Sequence, residues 1–201
     1  MKSLLIILLA VFIYGFLHSL LASPWIKGRA RGWFGPETER WYRLAYNALA
    51  VLGLVPVLAL TTLLPDRTLY AIPSPWALVP LLIQGLAGIA LVVGLWQTGL
   101  WGFLGFQQFL HPPKASLPVM VVTGLYRWVR HPMYTAGLVL IWLTPVMTIN
   151  ILVLNLGLSI YLMVGTLFEE RKLIKAYGAV YEEYMQRTPM LIPNFESHKV
   201  S

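Results

Sequence analysis

Five long apolar runs, at residues 3–23, 43–64, 76–96, 132–148 and 150–168, restrict this chain more than any other feature. A helix of about 20 apolar residues matches the hydrocarbon thickness of a bilayer, and in that medium only helices and closed barrels satisfy their own backbone. With 58% of the 201 residues hydrophobic and 11% charged, the chain carries more apolar surface than a soluble fold of its length buries. The expected fold is all-α: a polytopic membrane protein of about five transmembrane helices, ending in a C-terminal helical hairpin and a cytosolic amphipathic tail helix. One membrane domain is expected over residues 1–201, with 1–96 as a three-helix scaffold and 97–201 carrying the chemistry.

The basic residues orient the spans. Five crossings place 13 of the 15 Lys and Arg on one side and leave Lys2 and Arg67 on the other, so the positive-inside bias puts the C-terminus in the cytosol and the N-terminus outside the cell's inner membrane or its equivalent. The opening run resembles a cleavable leader, but the "KGRAR" just after it would then have to be exported against that bias. The net charge of +7 reads as orientation and attraction to anionic membrane lipid, with no nucleic acid implied. Cysteine is absent, which excludes disulfides, thiolate zinc and cysteine nucleophiles; no metal site is expected. A catalyst here has to be built from His, Arg, Glu, Tyr and backbone.

Polar residues concentrate in "VTGLYRWVRHPMYTAG", residues 122–137. Pro132 suits the first turn of a helix, where its missing N–H has no intrahelical partner, and the free N–H groups and positive dipole end beside Arg127 and Arg130 suit a carboxylate or phosphate. Arg and Tyr at a membrane boundary also serve as interfacial anchors, and His131 as a cap. The turn at "TPVMTIN" folds the last two runs into a hairpin, which brings this stretch to "LFEERKLIKAYGAVYEEY". There Glu169 and Glu170 follow an apolar run, where they oppose the helix dipole unless they turn toward a cation. Glu170, Tyr177, Tyr181 and Tyr184 recur at helical spacing, compatible both with a ligand wall and with a helix lying on the membrane surface.

The ordered pair "GLYRWVRHPMYTAG" and "FEERKLIKAYGAVYEEYMQRTPMLIP" resembles the signature of the integral-membrane methyltransferases that include isoprenylcysteine carboxyl and phospholipid methyltransferases, over residues 118–193. The resemblance implies S-adenosyl-L-methionine as cofactor. It implies cofactor contacts at Pro118, Val119, Met120, Val121, Tyr126, His131, Pro132, Met133 and Tyr134, with Glu170 on the amino group. Arg130 and Glu169 are the expected catalytic residues, orienting the substrate; His18, Gln107 and Gln108 are further candidates for substrate contact. Where isoprenylcysteine enzymes carry an arginine ahead of an "FG" pair, this chain has Gly165, counted back from Gly178. "HSLLASPWIK", "ERWYRLAYN" and "WLTPVMT" extend the likeness to a subgroup with methanethiol S-methyltransferases and NnrU-like membrane proteins. The implied activity is methyl transfer to a small or lipophilic acceptor, foremost a thiol, with prenylcysteine or phospholipid as alternative acceptors and a non-catalytic NnrU-like accessory role as the alternative of another class.

Overall fold

The structure, a computed structural model, describes residues 2–111 and 120–193. Among the described residues, four helices are long and apolar enough to cross a bilayer: α1 (Lys2–Leu21), α3 (Thr38–Leu63), α4 (Leu78–Gln97) and α8 (Ile149–Tyr177). The chain is an integral membrane protein. Shorter helices lie between them, α2 (Pro24–Phe34), α5 (Leu100–Leu104), α6 (Phe106–Leu110) and α7 (Pro132–Trp142), and α9 (Ala179–Arg187) follows the last. Two short strands, β1 (Thr68–Ala71) and β2 (Val146–Thr148), pair antiparallel.

Two compact units interleave along the sequence, residues 1–73, 99–115 and 145–161 forming one and residues 74–98, 116–144 and 162–201 the other. In the first, α1, α3 and the opening turns of α8 pack around Ile7, Val11, Val57 and Leu154. Gly157 admits the approach, since a Cβ there would meet Val11 at 3.0 Å. At one end of this unit, buried Asn150 donates from its amide to the carbonyls of Thr61, Leu64 and Pro65 at 3.3–3.5 Å. The Asp66 carboxylate accepts from the Arg67 and Asn150 N–H groups at 2.7 and 3.0 Å, so it caps α8 from another part of the chain. Because β1 and β2 pair, the chain leaves this end after residue 71 and is back at it by residue 146.

That return is made differently from the expected span at 132–148. Helix α7 stops at Trp142, and its 11 residues rise about 16 Å, roughly half of the hydrocarbon core. Pro145 explains the stop, because the residue before a proline is driven out of helical geometry; its carbonyl accepts from Ile72 N–H at 2.8 Å as the chain enters β2. Within the second unit α7 runs antiparallel to α4, with Met133 against Gly94 and Gln84 donating to the Leu140 carbonyl at 2.7 Å. Helix α8 is longer than its expected span of 150–168, so Glu169 and Glu170 lie inside a helix and not past its end. Gly178, at φ +59°, stops it, and the expected tyrosine stripe is split between α8 and α9.

Burial works to raise the Asp66 carboxyl, but hydrogen bonds from Thr148 and from the N–H groups of Asn150, Arg67 and Ile149 outweigh it and hold the group below its ordinary 3.8. A carboxyl lowered on folding stabilises above its unfolded pKa and loses that contribution as pH falls through the folded one. We predict that Asp66→Ala costs about 1 kcal/mol at neutral pH, as loss of a helix cap does. Thermal unfolding in detergent should show the gap to wild type closing as the pH is taken below 3.8.

Candidate active site

The second unit gathers its polar residues where α7 begins. A 3₁₀ turn at Gly124–Arg127 precedes it, made possible by Gly124 at φ +63°, where a Cβ would collide with the Gln97 side chain. Gln97 instead accepts from the Leu125 N–H at 3.2 Å. Pro132 then opens α7 with His131 as the residue before it.

Arg130 is buried at 9% exposure and Glu170 at 5%. The Arg130 Nε donates to Glu170 Oε1 at 2.7 Å, and its Nη1 donates to the carbonyls of Met185, at 3.1 Å, and Thr188. His131 Nε2 lies 3.2 Å from the same Glu170 oxygen. Two backbone bonds run alongside, from Arg130 N–H to Pro189 O at 2.9 Å and from His131 N–H to Met190 O at 3.1 Å. Thr135 Oγ1 adds a third to Leu191 O at 2.6 Å. Residues 188–191 are thus strapped along the start of α7.

Glu169, one residue before Glu170, faces a different environment. Its side chain is 45% exposed, it accepts from the Tyr134 hydroxyl at 2.6 Å, and its Oε2 lies 4.0 Å from His131 Nδ1. The His131 and Tyr134 rings stack at 5.4 Å with 7° between their planes. Tyr126 is buried in the turn; burial, then the negative charge of Glu169, pushes its phenol up to about 12. Burial and then Glu170 do the same for Tyr181, also to about 12. Tyr184, raised by burial and then by Tyr181, donates to the Tyr126 carbonyl. All three phenols are protonated at neutral pH. They serve as walls and donors, and none is a base there.

An exposed carboxylate beside stacked rings and a helix N-terminus, all braced from below by a buried ion pair, can hold a zwitterionic ligand of mixed charge. The model of the phospholipid methyltransferase family matches residues 76–180, which include α4, α7, α8 and both glutamates. The chain belongs to that family. Among named relatives, methanethiol S-methyltransferase 1 of Bradyrhizobium diazoefficiens is 30% identical over 96% of this chain and 67% of its own length. Methanethiol S-methyltransferase of a Pseudomonas strain is 30% identical over 92% of this chain and 74% of its own. Methanethiol S-methyltransferase 2 of B. diazoefficiens is 45% identical, over 34% of this chain and 27% of its own. No solved structure matches. Membership places the chain among membrane methyltransferases and implies a methyl donor.

Of the residues that sequence reasoning assigned to the methyltransferase site, the structure brings Arg130, His131, Tyr134, Glu169 and Glu170 into one bonded cluster. Met120 and Val121 lie half-buried in the segment before the turn, while Pro118 and Val119 lie outside the described residues. Met133 turns toward α4. His18, Gln107 and Gln108 belong to the first unit. Both ring nitrogens of His18 are engaged, Nδ1 with the Tyr161 hydroxyl at 2.5 Å and Nε2 with the Tyr46 hydroxyl at 2.7 Å, which ties α1 to α8 and α3. The amide oxygen of Gln108 is buried without a hydrogen-bond partner. Sequence reasoning missed Gln97, Thr135 and Thr188. An open groove of about 480 Å³ borders the strap at Met185, Thr188, Pro189 and Ile192 and contains none of the candidate residues.

Removing one member of a buried ion pair strands the other, a cost on the order of 3 kcal/mol or more. We predict that Arg130→Ala and Glu170→Gln each destabilise the second unit by about that much, and that the double variant costs clearly less than their sum. Hydrogen exchange at the 130 and 131 amides, which report the strap, and thermal unfolding provide the check.

Proposed function

We propose that the chain transfers a methyl group from S-adenosyl-L-methionine to a small or lipophilic thiol. The observation that carries this reading is the placing of an accessible carboxylate, Glu169, against the stacked His131 and Tyr134 rings at the start of α7. The residues present suit the cofactor's chemistry. The first-turn N–H groups of an 11-residue helix favour its carboxylate. Glu169 offers a partner for its ammonium or sulfonium, and the half-buried Tyr134 ring, stacked on the buried His131, offers an aromatic face that suits an adenine or a cation. The thiol as acceptor comes from the relatives named methanethiol S-methyltransferase, which match the chain over most of its length.

The geometry favours a different division of roles from the one the motif implies. Glu170 is the motif's partner for an amino group, but its Oε1 already meets Arg130 and His131 in a buried setting. We assign that contact to Glu169 and treat Glu170 and Arg130 as positioning residues. Arg130, committed to Glu170 and two carbonyls, is not available to orient a thiolate; the positive end of α7 is the remaining source of that charge effect.

When bound, the cofactor supplies an electrophilic methyl on a sulfonium. With the cofactor held by Glu169 and the start of α7, a thiol that had released its proton to water would form the new S–CH₃ bond as the sulfonium's bond to that methyl broke, leaving two neutral thioethers. Opposite charges meet and vanish, so a site shielded from water by the membrane boundary favours the reaction. The protein's contribution is alignment and exclusion of water. The basic residues of the connecting segments support placing the site on the cytosolic face of the cell's inner membrane or its equivalent.

Purified protein titrated calorimetrically with S-adenosyl-L-methionine should bind it, and a methyl-labelled cofactor should mark small thiols in preference to prenylcysteine or phospholipid. Failure to bind would overturn the reading in favour of a non-catalytic role. We predict that Glu169→Gln lowers cofactor affinity roughly tenfold to hundredfold, the range of a charge-assisted hydrogen bond, while leaving the melting temperature nearly unchanged. Glu170→Gln should instead lower both.

A further inference from the structure

Helix α2 joins α1 to α3, two helices that cross the bilayer, so it lies at the membrane boundary. Its sequence, PWIKGRARGWF, gives it three cations and two tryptophans. Ala30 is its buried residue, and the Thr38 hydroxyl leans on the Ala30 carbonyl at 3.4 Å. Trp25 and Trp33 are 61% and 71% exposed, which is costly in water and favourable at the headgroup level of a bilayer.

The local charges do not balance. Glu39 is taken by Arg31 at 2.6 Å and Glu37 by Arg40 at 3.0 Å. Lys27 and Arg29 then have no carboxylate among the described residues; Arg29 lies instead over the Trp25 ring, 5.5 Å from its centre. Two glycines add to this. Gly28 and Gly32 stand two residues either side of Ala30, about 160° round the helix from the docked face. A Cβ at either would meet nothing within 4 Å. Each weakens a helix relative to alanine, and neither admits a neighbouring helix in exchange, unlike Gly15, where a Cβ would meet the Tyr161 ring at 2.8 Å.

We infer that this outer face of α2 is a seat for the headgroup of an anionic phospholipid. The glycine notch lets a phosphate approach the helix closely, Lys27 and Arg29 reach round from the two opposite flanks of that face to neutralise it, and Trp25 and Trp33 hold the glycerol and upper acyl region. The lipid acts as a bound partner of the first unit, separate from the methyl acceptor, and the inference does not depend on the proposed activity.

Native mass spectrometry of the full chain, released from micelles doped with phosphatidylglycerol and phosphatidylcholine, tests it. Wild type should retain phosphatidylglycerol preferentially. Lys27→Gln with Arg29→Gln should reduce that preference roughly tenfold or more, and Gly28→Ala with Gly32→Ala should reduce it while leaving the unfolding temperature equal or higher. Lys2→Gln with Arg67→Gln removes the same charge elsewhere in the unit and should leave the preference intact. Wild-type retention in either α2 variant, or an equal loss in the Lys2 and Arg67 control, would overturn the inference.

Discussion

The contact between Arg130 and Glu170 constrains the second unit more than any other. A guanidinium and a carboxylate, both almost fully buried, are tolerable only when each is paired and hydrogen-bonded. Arg130 meets that demand by reaching Glu170 in α8 and the Met185 and Thr188 carbonyls at the end of α9. One side chain therefore fixes three pieces of chain: the start of α7, the interior of α8 and the strap. Hydrophobic burial cannot set such a register by itself, because apolar helices in a bilayer gain little by leaving lipid for one another. The pair supplies direction where the apolar surface supplies none.

The adjacency of Glu169 and Glu170 acquires meaning from that register. Neighbours on a helix point about 100° apart, so when Glu170 is drawn inward by Arg130, Glu169 is carried toward the accessible side, where Tyr134 and His131 meet it. The ion pair and the exposed carboxylate are thus parts of one device. His131 links them, with one ring nitrogen near each glutamate.

Much of this was legible in the residues. Pro132 marked the start of α7, and the two polar segments on either side of "TPVMTIN" did prove to meet. Hydropathy located α1, α3 and α4 to within a few residues, except where α3 begins earlier. It failed at 132–148 because an index averaged over a window sees Leu143, Val146 and Met147 as apolar. Such an index cannot see that Pro145 ends the helix, nor that residues 146–148 pair with β1, far away in sequence. The end of α8 lies beyond the expected one for the opposite reason: charge suggests a boundary, but the helix continues through Glu169 and Glu170, whose charges find partners across the fold. Nothing local says where a long side chain such as that of Arg130 goes, so its bonds to Glu170 and to the Met185 and Thr188 carbonyls carry no mark in the motif. Gln97 and the strap contacts end on backbone atoms, which carry no sequence signal.

His18 illustrates the converse. An ionisable residue in a membrane span raises the expectation of function, yet here two phenols, from Tyr46 and Tyr161, occupy both of its nitrogens. A neutral imidazole has one donor and one acceptor, and two hydroxyls satisfy both without any ligand. The same demand for satisfied polar groups in an apolar medium produces a helix tie in the first unit and a bonded cluster in the second. What distinguishes them is the remainder after satisfaction: the His18 cluster leaves no carboxylate unspent, whereas the second leaves Glu169 nearly half exposed beside a helix N-terminus. That accessible carboxylate is the ground on which the second cluster, and not the first, is proposed as the place for a charged ligand.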